Sequence, residues 1–486
     1  MLSSALKNLS KHSIIYISAI AFNRGASFLI IPLVTAYIGS VENYGVKEIA
    51  EVAIALMVQL LGFTVFQAMV RYLADADTDL ARGQILNTSL YLVAGGAGAL
   101  LLLCLIFADS GAVALFGSEE YAPALRVTAA ILFFSVFTRW GLAYFGAQEQ
   151  SVLYSAIITS KLVLEILLKV VFLVYMNLTY MGVLYSVLWS EIIFGVGIFC
   201  VLQYRHRIGF SPEIARRLLS YVFPLILSGL FMFVVHQGDR FFIRIFDGLD
   251  STGIYGLGYK FGSIVNALIY TGFATIWFPF IFKVKEDGQL RELCRTVLIG
   301  FGAVTCFATL VLCVFGAELV SLMVPREFQE AARVLPLIAI SYIFWIIFQL
   351  FHTIFFIRER TKLVLVISLS AAIINTLLNV VLVPEYGYIG AAWSTLGAYF
   401  SAAAIAYILA QRVFYIPYDL GRLSLAVGLA ALFWILSSAI EVENTMMLIA
   451  LKILLCLAYP LVLLTVGYLT PEAKSGLYQL LRNIGK

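Results

Sequence analysis

Long apolar runs dominate the chain, and short polar connections separate them. A helix of about 20 predominantly apolar residues is long enough to cross a bilayer. Runs of this kind lie at about 13–38, 47–71, 84–107, 122–145, 152–175, 179–202, 218–246, 253–282, 295–316, 331–356, 362–383, 387–410, 422–439 and 446–469. This pattern predicts an all-α polytopic membrane protein with about 14 transmembrane helices and no sizeable soluble domain.

Composition agrees with this class and excludes several functions. Hydrophobic residues make up 62% of the 486 residues and charged residues 12%, which is not the composition of a soluble domain. The net charge is only +4, and the six cysteines show no CxxC spacing. Because no nucleotide-binding loop, metal-ligand cluster or catalytic triad is present, we expect no cofactor, no metal, no catalytic residue and no nucleic-acid partner.

The positively charged residues lie mostly in alternate connections. About twenty Lys and Arg residues fall on the side of the amino terminus, against two, Arg326 and Arg333, on the other side. Short cytoplasmic loops collect Lys and Arg. The bias therefore predicts that both termini are cytoplasmic and that the link 247–252 is external.

An internal repeat relates two parts of the chain. EYAPALRV (120–127) recurs as EFQEAARV (327–334), YMGVLYS (180–186) as YIGAAWS (388–394), and the YG pair at 44–45 at 255–256. Each copy holds six predicted helices, an even number, so the two copies keep the same orientation about an axis along the membrane normal. This predicts an amino-terminal six-helix lobe (1–203), a second six-helix lobe (204–412), and two additional helices with a cytoplasmic tail (413–486).

The fifth span carries a charged stripe. Lys161, Glu165 and Lys169 are spaced i, i+4, i+8, so they share an arc of about 80° on the helix. One interpretation is a ladder of ion pairs that locks this helix to a neighbour. The other is a cationic cavity wall. The repeat places Asn375 and Asn379 opposite Glu165 and Lys169, and this asymmetry between the lobes favours the cavity wall.

Other charged residues also fall within predicted spans, where they are costly and tend to face the bundle interior. Arg24 lies near the middle of the first span and is expected to point inward. Arg139 lies in the fourth, and Arg240 in the seventh, with Lys260 in the eighth at a similar depth. Asp239 is expected to pair with Arg240 or Lys260.

Three further acidic residues, Glu48, Glu51 and Glu191, lie within predicted spans. Glu48 and Glu51 begin the second span, where Glu48 suits a helix N-terminus and Glu51 is a candidate for ion coupling. Glu191, near the middle of the sixth span, suits a pair between helices. The candidate substrate-binding residues are therefore Arg24, Arg139, Lys161, Lys169, Arg240 and Lys260, and the candidate ion-coupling or charge-pairing residues are Glu51, Glu165 and Asp239.

Three stretches, in this order, carry a family resemblance. They are YGVKEIAEVAIALMVQLLGFTVFQAMVRYLAD, QGDRFFIRIFDGLDSTGIYGLGYKFG and NTLLNVVLVPEYGYIGAAWSTLGAYF. With them the chain resembles the polysaccharide (O-antigen and capsule) flippases of the multidrug, oligosaccharidyl-lipid and polysaccharide (MOP) exporter superfamily. The resemblance implies two lobes around a central cavity, alternating access, and an undecaprenyl-diphosphate-linked oligosaccharide substrate of lipopolysaccharide or capsule synthesis.

The resemblance also implies a bacterial cytoplasmic (inner) membrane location. Na⁺ or H⁺ is then a candidate coupling ion, and a polysaccharide polymerase and chain-length proteins are candidate partners. Two alternatives remain open. A cation-coupled drug exporter of the same superfamily would favour an acidic cavity and about twelve helices, and a membrane polymerase or ligase would need a large external loop. The basic residues within the spans and the short connections favour the flippase.

Overall fold

The computed structural model describes residues 22–61, 64–205, 209–284, 286–440, 442 and 444–468. Within these ranges every element of regular secondary structure is a helix, which confirms the predicted all-α class. The two termini, whose cytoplasmic location the sequence predicts, lie outside the described residues.

The helices are numbered in chain order. They are α1 (22–29), α2 (Ile31–Tyr37), α3 (Val41–Leu60), α4 (Thr64–Ala74), α5 (Asp79–Ile106), α6 (Ala108–Phe116), α7 (Ala122–Ala147), α8 (Ser151–Lys169), α9 (Thr179–Arg205), α10 (Pro212–Gln237), α11 (Asp239–Phe246), α12 (Gly248–Gly262), α13 (Thr271–Ile281), α14 (Asp287–Val314), α15 (Gly316–Met323), α16 (Ala331–Ile357), α17 (Lys362–Val413), α18 (Leu420–Ser438) and α19 (Thr445–Thr465). A π-helical turn, Val170–Tyr175, extends α8, and another, Asn266–Tyr270, precedes α13.

Many of these helices are long and apolar enough to cross a membrane. In the described part of the chain, eight helices meet that test, or up to ten if the bent pairs Val41–Leu60 with Thr64–Ala74 and Pro212–Phe223 with Leu225–Gln237 each form one span. Helix α17 covers two predicted spans and is interrupted at Gly387, whose φ of 55° is not helical. The chain is therefore a multi-pass membrane protein, and the count of fourteen stays a prediction.

The chain divides into two compact units. The first comprises the described residues up to Gly256 with Met323–Phe328 and Asn379–Tyr388, and the second comprises Leu257–Leu322, Gln329–Leu378 and the described residues from Ile389 onward. The lobes predicted from the repeat, 1–203 and 204–412, remain predictions.

In the first unit, α7 packs closely against α9. A Cβ at Gly141 of α7 would lie 2.1 Å from Ile198 Cγ2, and one at Gly195 of α9 would lie 2.8 Å from the Phe134 carbonyl oxygen. Small residues let membrane helices approach this closely. On the same helix, the indole of Trp140 is fully buried and donates a hydrogen bond to the Leu86 carbonyl of α5 at 2.9 Å. Helix α7 is therefore fixed against α5 and α9.

The second unit packs around α14 and α16. Most side chains of α16 are buried. The hydroxyl of Tyr459 in α19 donates to the Ala426 carbonyl of α18 at 3.1 Å, and that of Tyr468 donates to the Ile299 carbonyl of α14 at 3.0 Å. These bonds join the last two helices to the rest of the unit, and each satisfies a tyrosine hydroxyl buried in an apolar setting.

Candidate functional site

Helix α8 holds the predicted stripe as a set of ion pairs. Lys169 Nζ lies 2.5 Å from Glu165 Oε1, and Lys161 Nζ lies 3.7 Å from Glu165 Oε2. The three side chains are between 11% and 17% exposed. Their i,i+4 spacing puts them on one helix face, as the sequence predicts. Glu165 therefore contacts both lysines at once.

A second carboxylate reaches the stripe from α9. Lys161 Nζ lies 3.1 Å from Glu191 Oε1, closer than it lies to Glu165. The other oxygen of Glu191 accepts a hydrogen bond from Thr138 of α7 at 2.7 Å, and Arg139 interacts electrostatically with the same carboxylate. We call Lys161, Glu165, Lys169 and Glu191 the α8 ion network. The network joins α8 to α9. Arg139, which the sequence predicts to bind substrate, interacts with it through Glu191.

A further charged cluster lies on α3. Lys47 Nζ is 2.9 Å from Glu48 Oε1 and 2.8 Å from Glu51 Oε1. Glu51 also interacts electrostatically with Glu165 of the α8 ion network. The interpretation of Glu48 as a residue of the helix N-terminus is wrong, because α3 begins at Val41 after the capping residue Ser40. Glu48 instead lies two turns into the helix, buried and paired with Lys47.

Asp239 lies in a third cluster of polar groups in the first unit. Its carboxylate is fully buried and accepts hydrogen bonds from the Tyr255 hydroxyl at 2.7 Å and the Asn379 amide at 2.8 Å. Arg240, also buried, donates to the His236 carbonyl at 2.8 Å, and its guanidinium lies 5.2 Å from the Tyr255 ring centroid. The sequence predicted a charged partner for Asp239. The neutral donors Tyr255 and Asn379 were not predicted.

Two predicted site residues remain, Arg24 and Lys260. Arg24 is exposed on α1, whose neighbouring Asn23 donates to Thr159 of α8 at 3.5 Å. Lys260 is half-buried in the part of α12 that belongs to the second unit. All other candidate residues lie in the first unit. Their roles in substrate binding and ion coupling remain proposals.

The fold defines the class of protein. The chain shares its fold with the lipid II flippase MurJ in an inward closed conformation, at a TM-score of 0.79 and 13% identity over 94% of this chain and 99% of that one. It is also similar to an inward-facing multidrug resistance MATE family transporter of the MOP superfamily, at a TM-score of 0.62 and 15% identity over 85% and 95% of the two chains. For the Vibrio cholerae MATE transporter VcmN the TM-score is 0.59, with 16% identity over 84% and 98%. The protein thus has the fold of the MOP superfamily.

Sequence profiles give the family. The profile of the polysaccharide biosynthesis protein family matches residues 34–333, more than half of the chain, and the protein belongs to that family. The profile of the lipid II flippase MurJ matches residues 250–461. No curated protein sequence matched the chain.

Proposed function

We propose that the protein is a flippase rather than an enzyme, and that it carries an undecaprenyl-diphosphate-linked oligosaccharide from the cytoplasmic to the outer leaflet by alternating access. Its family supports a role in polysaccharide synthesis, and the match to a profile named for a lipid II flippase supports a lipid-linked substrate. The observation that carries the proposal is the α8 ion network. Charged side chains placed in membrane-embedded helices mark the pathways of polar substrates.

The network is able to exchange partners. Lys161 contacts two carboxylates, Glu165 and Glu191, so it can release one and still be paired. A diphosphate that enters beside α8 would compete with these carboxylates for Lys161 and Lys169, and charge-assisted bonds to phosphate are strong. The lysines would then bind the headgroup without any step in which a buried cation loses all its partners.

Partner exchange also supplies a route to ion coupling. A carboxylate that loses its lysine in a low-dielectric site is stabilised by taking up a proton or a cation. Glu165 is the first candidate, because it contacts both lysines, and Glu51 is electrostatically coupled to it. Binding of the diphosphate would in this way change the affinity of the same site for H⁺ or Na⁺. The membrane potential, an ion gradient, or both would drive transport.

The test is headgroup translocation in reconstituted vesicles. The substrate is a lipid-diphosphate-linked oligosaccharide with a fluorescent sugar, and dithionite added outside quenches the label in the outer leaflet. Lys169→Gln should slow translocation at least tenfold. The matched control is Arg217→Gln, which removes an i,i+4 partner of Glu213 at 2.6 Å from an exposed pair. Equal rates for both variants and the wild type would contradict the proposal.

The same vesicles test the principal alternative. The MATE transporters that share the fold are named for multidrug resistance, and the buried carboxylates Glu165 and Glu191 could accept a cationic drug. A drug exporter would release a loaded cationic dye under an ion gradient and leave the lipid-linked substrate untouched. That outcome would replace the flippase with the exporter.

A further inference from the structure

A pocket opens among the helix ends of the first unit, on the side that the positive-residue bias predicts to be external. Its volume is about 490 Å³, within the range of roughly 300–1,000 Å³ that is typical of small-molecule sites. Glu42 at the start of α3, Ser118, Glu120 and Tyr121 between α6 and α7, and Arg244 of α11 supply polar groups to its lining. None of them belongs to the α8 ion network or to the Asp239 cluster.

The polar groups of this pocket are held in place. The Tyr121 hydroxyl donates to Glu42 Oε1 at 2.8 Å, and Tyr121 itself is buried against Phe116 and Tyr180. The guanidinium of Arg244 donates to the Val113 carbonyl at the end of α6, a bond that uses one of its five N–H donors. The pocket therefore presents an oriented carboxylate and an oriented guanidinium to a ligand.

The charged side chains that line the pocket determine which class of ligand it can bind. Two carboxylates in the lining, Glu42 and Glu120, disfavour an anion. Burial, together with the nearby Glu42, raises the pKa of Asp250. Arg244 in the same wall disfavours a simple cation. An apolar ligand would strip water from all these charged groups without replacing it. A ligand with many hydroxyl groups fits all of them, because each hydroxyl both donates to a carboxylate and accepts from a guanidinium.

We propose that this pocket binds sugar residues of the oligosaccharide headgroup on the external side, separately from the diphosphate. The identity of the ligand as the transported headgroup rests on the proposed function. The sugar site would retain the headgroup after it has crossed, while the charged part of the substrate leaves the α8 ion network.

The repeat supports a functional origin for the pocket. The offsets place Phe328 opposite Tyr121 and Gly253 opposite Glu42. The second copy thus has neither the hydroxyl nor the carboxylate that it orients, and Phe328 instead packs its ring edge-on against Tyr44, with centroids 5.6 Å apart. A feature needed only to hold the repeated fold together would be expected in both copies. The Glu42–Tyr121 bond occurs in one.

Sugar binding is measured by saturation-transfer-difference NMR on the full-length protein in detergent. The probe is a partial acid hydrolysate of the source cells' own surface polysaccharide, with dextran oligosaccharides as an unrelated saccharide. Glu42→Gln and Glu120→Gln should each weaken binding of the hydrolysate at least tenfold. The matched control is Glu119→Gln, an exposed neighbour that does not line the pocket. All these sites are exposed, and thermal melting checks that each variant is folded.

The results of these measurements distinguish a failure of the pocket proposal from a failure of the flippase proposal. Lys169→Gln should bind the sugars like the wild type although it translocates poorly. The pocket proposal is wrong, whatever the transport rate, if the wild type binds none of the hydrolysate or binds dextran equally well. It is also wrong if both pocket variants bind the hydrolysate as tightly as the wild type does. If the pocket variants lose sugar binding and the wild type moves no lipid-linked substrate, the pocket stands and the flippase proposal fails.

Discussion

Lys169 and Glu165 of α8 form an ion pair one helical turn apart, with 2.5 Å between Nζ and Oε1 and side chains that are 11% and 16% exposed. Arg217 and Glu213 have the same spacing and a distance of 2.6 Å, but their side chains are 66% and 74% exposed. The exposed pair is hydrated and worth at most about 1 kcal/mol. The buried pair has lost most of its water, so each charge depends on its partner.

The buried pair should therefore respond differently to single and double substitution. Lys169→Gln leaves Glu165 with one lysine, and we expect the free energy of unfolding to fall by about 3–5 kcal/mol. The double variant Glu165→Gln, Lys169→Gln removes both charges and should recover most of that loss. Arg217→Gln should change the free energy of unfolding by less than about 1 kcal/mol. Denaturant unfolding in detergent measures all three, and a double variant as unstable as the single one would contradict this account.

The double variant also separates the two interpretations of the stripe. If the ladder only locks α8 to its neighbours, a folded double variant should transport like the wild type. If Lys169 contacts the headgroup, translocation should stay at least tenfold slower although stability has returned. Stability and transport must therefore be measured on the same preparation.

Helices α3 and α12 approach each other at glycines. A Cβ at Gly45 would lie 1.9 Å from the Leu249 carbonyl oxygen, whereas one at Gly95 of α5 would meet no atom within 4 Å. Gly45→Ala should therefore lower the melting temperature strongly, because backbone must move to admit the methyl group. Gly95→Ala should leave stability unchanged or raise it by up to about 1 kcal/mol, since alanine favours the helix. Equal melting temperatures for the two variants would contradict the packing of α3 against α12.

A substitution at Tyr255 tests whether its hydrogen bond to Asp239 stabilises the protein. Tyr255→Phe keeps the ring beside Arg240 but removes the hydroxyl that donates to Asp239 at 2.7 Å. A hydrogen bond to a charged group contributes about 1.5–3 kcal/mol, so the free energy of unfolding should fall by that amount. Tyr91→Phe, on an exposed tyrosine of α5, is the control. A Tyr255→Phe variant as stable as the control would mean that this bond contributes nothing.

The sequence predicted those parts of the site that follow from spacing within one helix. Lys161, Glu165 and Lys169 share a face of α8 because i,i+4 spacing alone puts them there. The contact between Lys161 and Glu191 joins residues of different helices, and no spacing rule relates them. The same limit explains why the hydrogen bond from Asn379 to Asp239, across 140 positions, could not be predicted.

The start of a helix was predicted less well than the spacing within one. The apolar run places the second span at about residue 47, but Ser40 caps α3 and accepts a hydrogen bond from the Asn43 amide at 3.1 Å. The polar first turns of α3 lengthen it beyond the apolar run. Glu48 is for this reason buried inside the helix and not at its end, and Lys47, which hydropathy alone places at the margin of a span, is its partner.

The positive-residue bias predicts the orientation, which cysteine labelling can test. Single cysteines at Glu119 and Gly209, both exposed, are introduced into a cysteine-free background. An impermeant maleimide added to whole cells should label the cysteine at 119 and leave the one at 209 unlabelled until the cells are opened. The reverse pattern would invert the orientation and move the proposed sugar pocket to the cytoplasmic side.

The membrane potential should help to drive export if the diphosphate crosses without a compensating cation. A diphosphate carries about two negative charges, and an inside-negative potential of about 100 mV favours outward movement of each by ~2.3 kcal/mol. Two charges then supply ~4–5 kcal/mol, enough to bias the distribution by roughly a thousandfold. An imposed potassium diffusion potential in the vesicle assay should accelerate translocation, and reversal of its sign should slow it.

If Glu165 instead takes up a cation whenever a lysine binds phosphate, the moving charge is partly neutralised and the dependence of transport on the membrane potential weakens. Transport that ignores the potential but follows a Na⁺ or H⁺ gradient would favour this coupled mechanism, and Glu165→Gln should then abolish the response to the gradient while Glu213→Gln retains it.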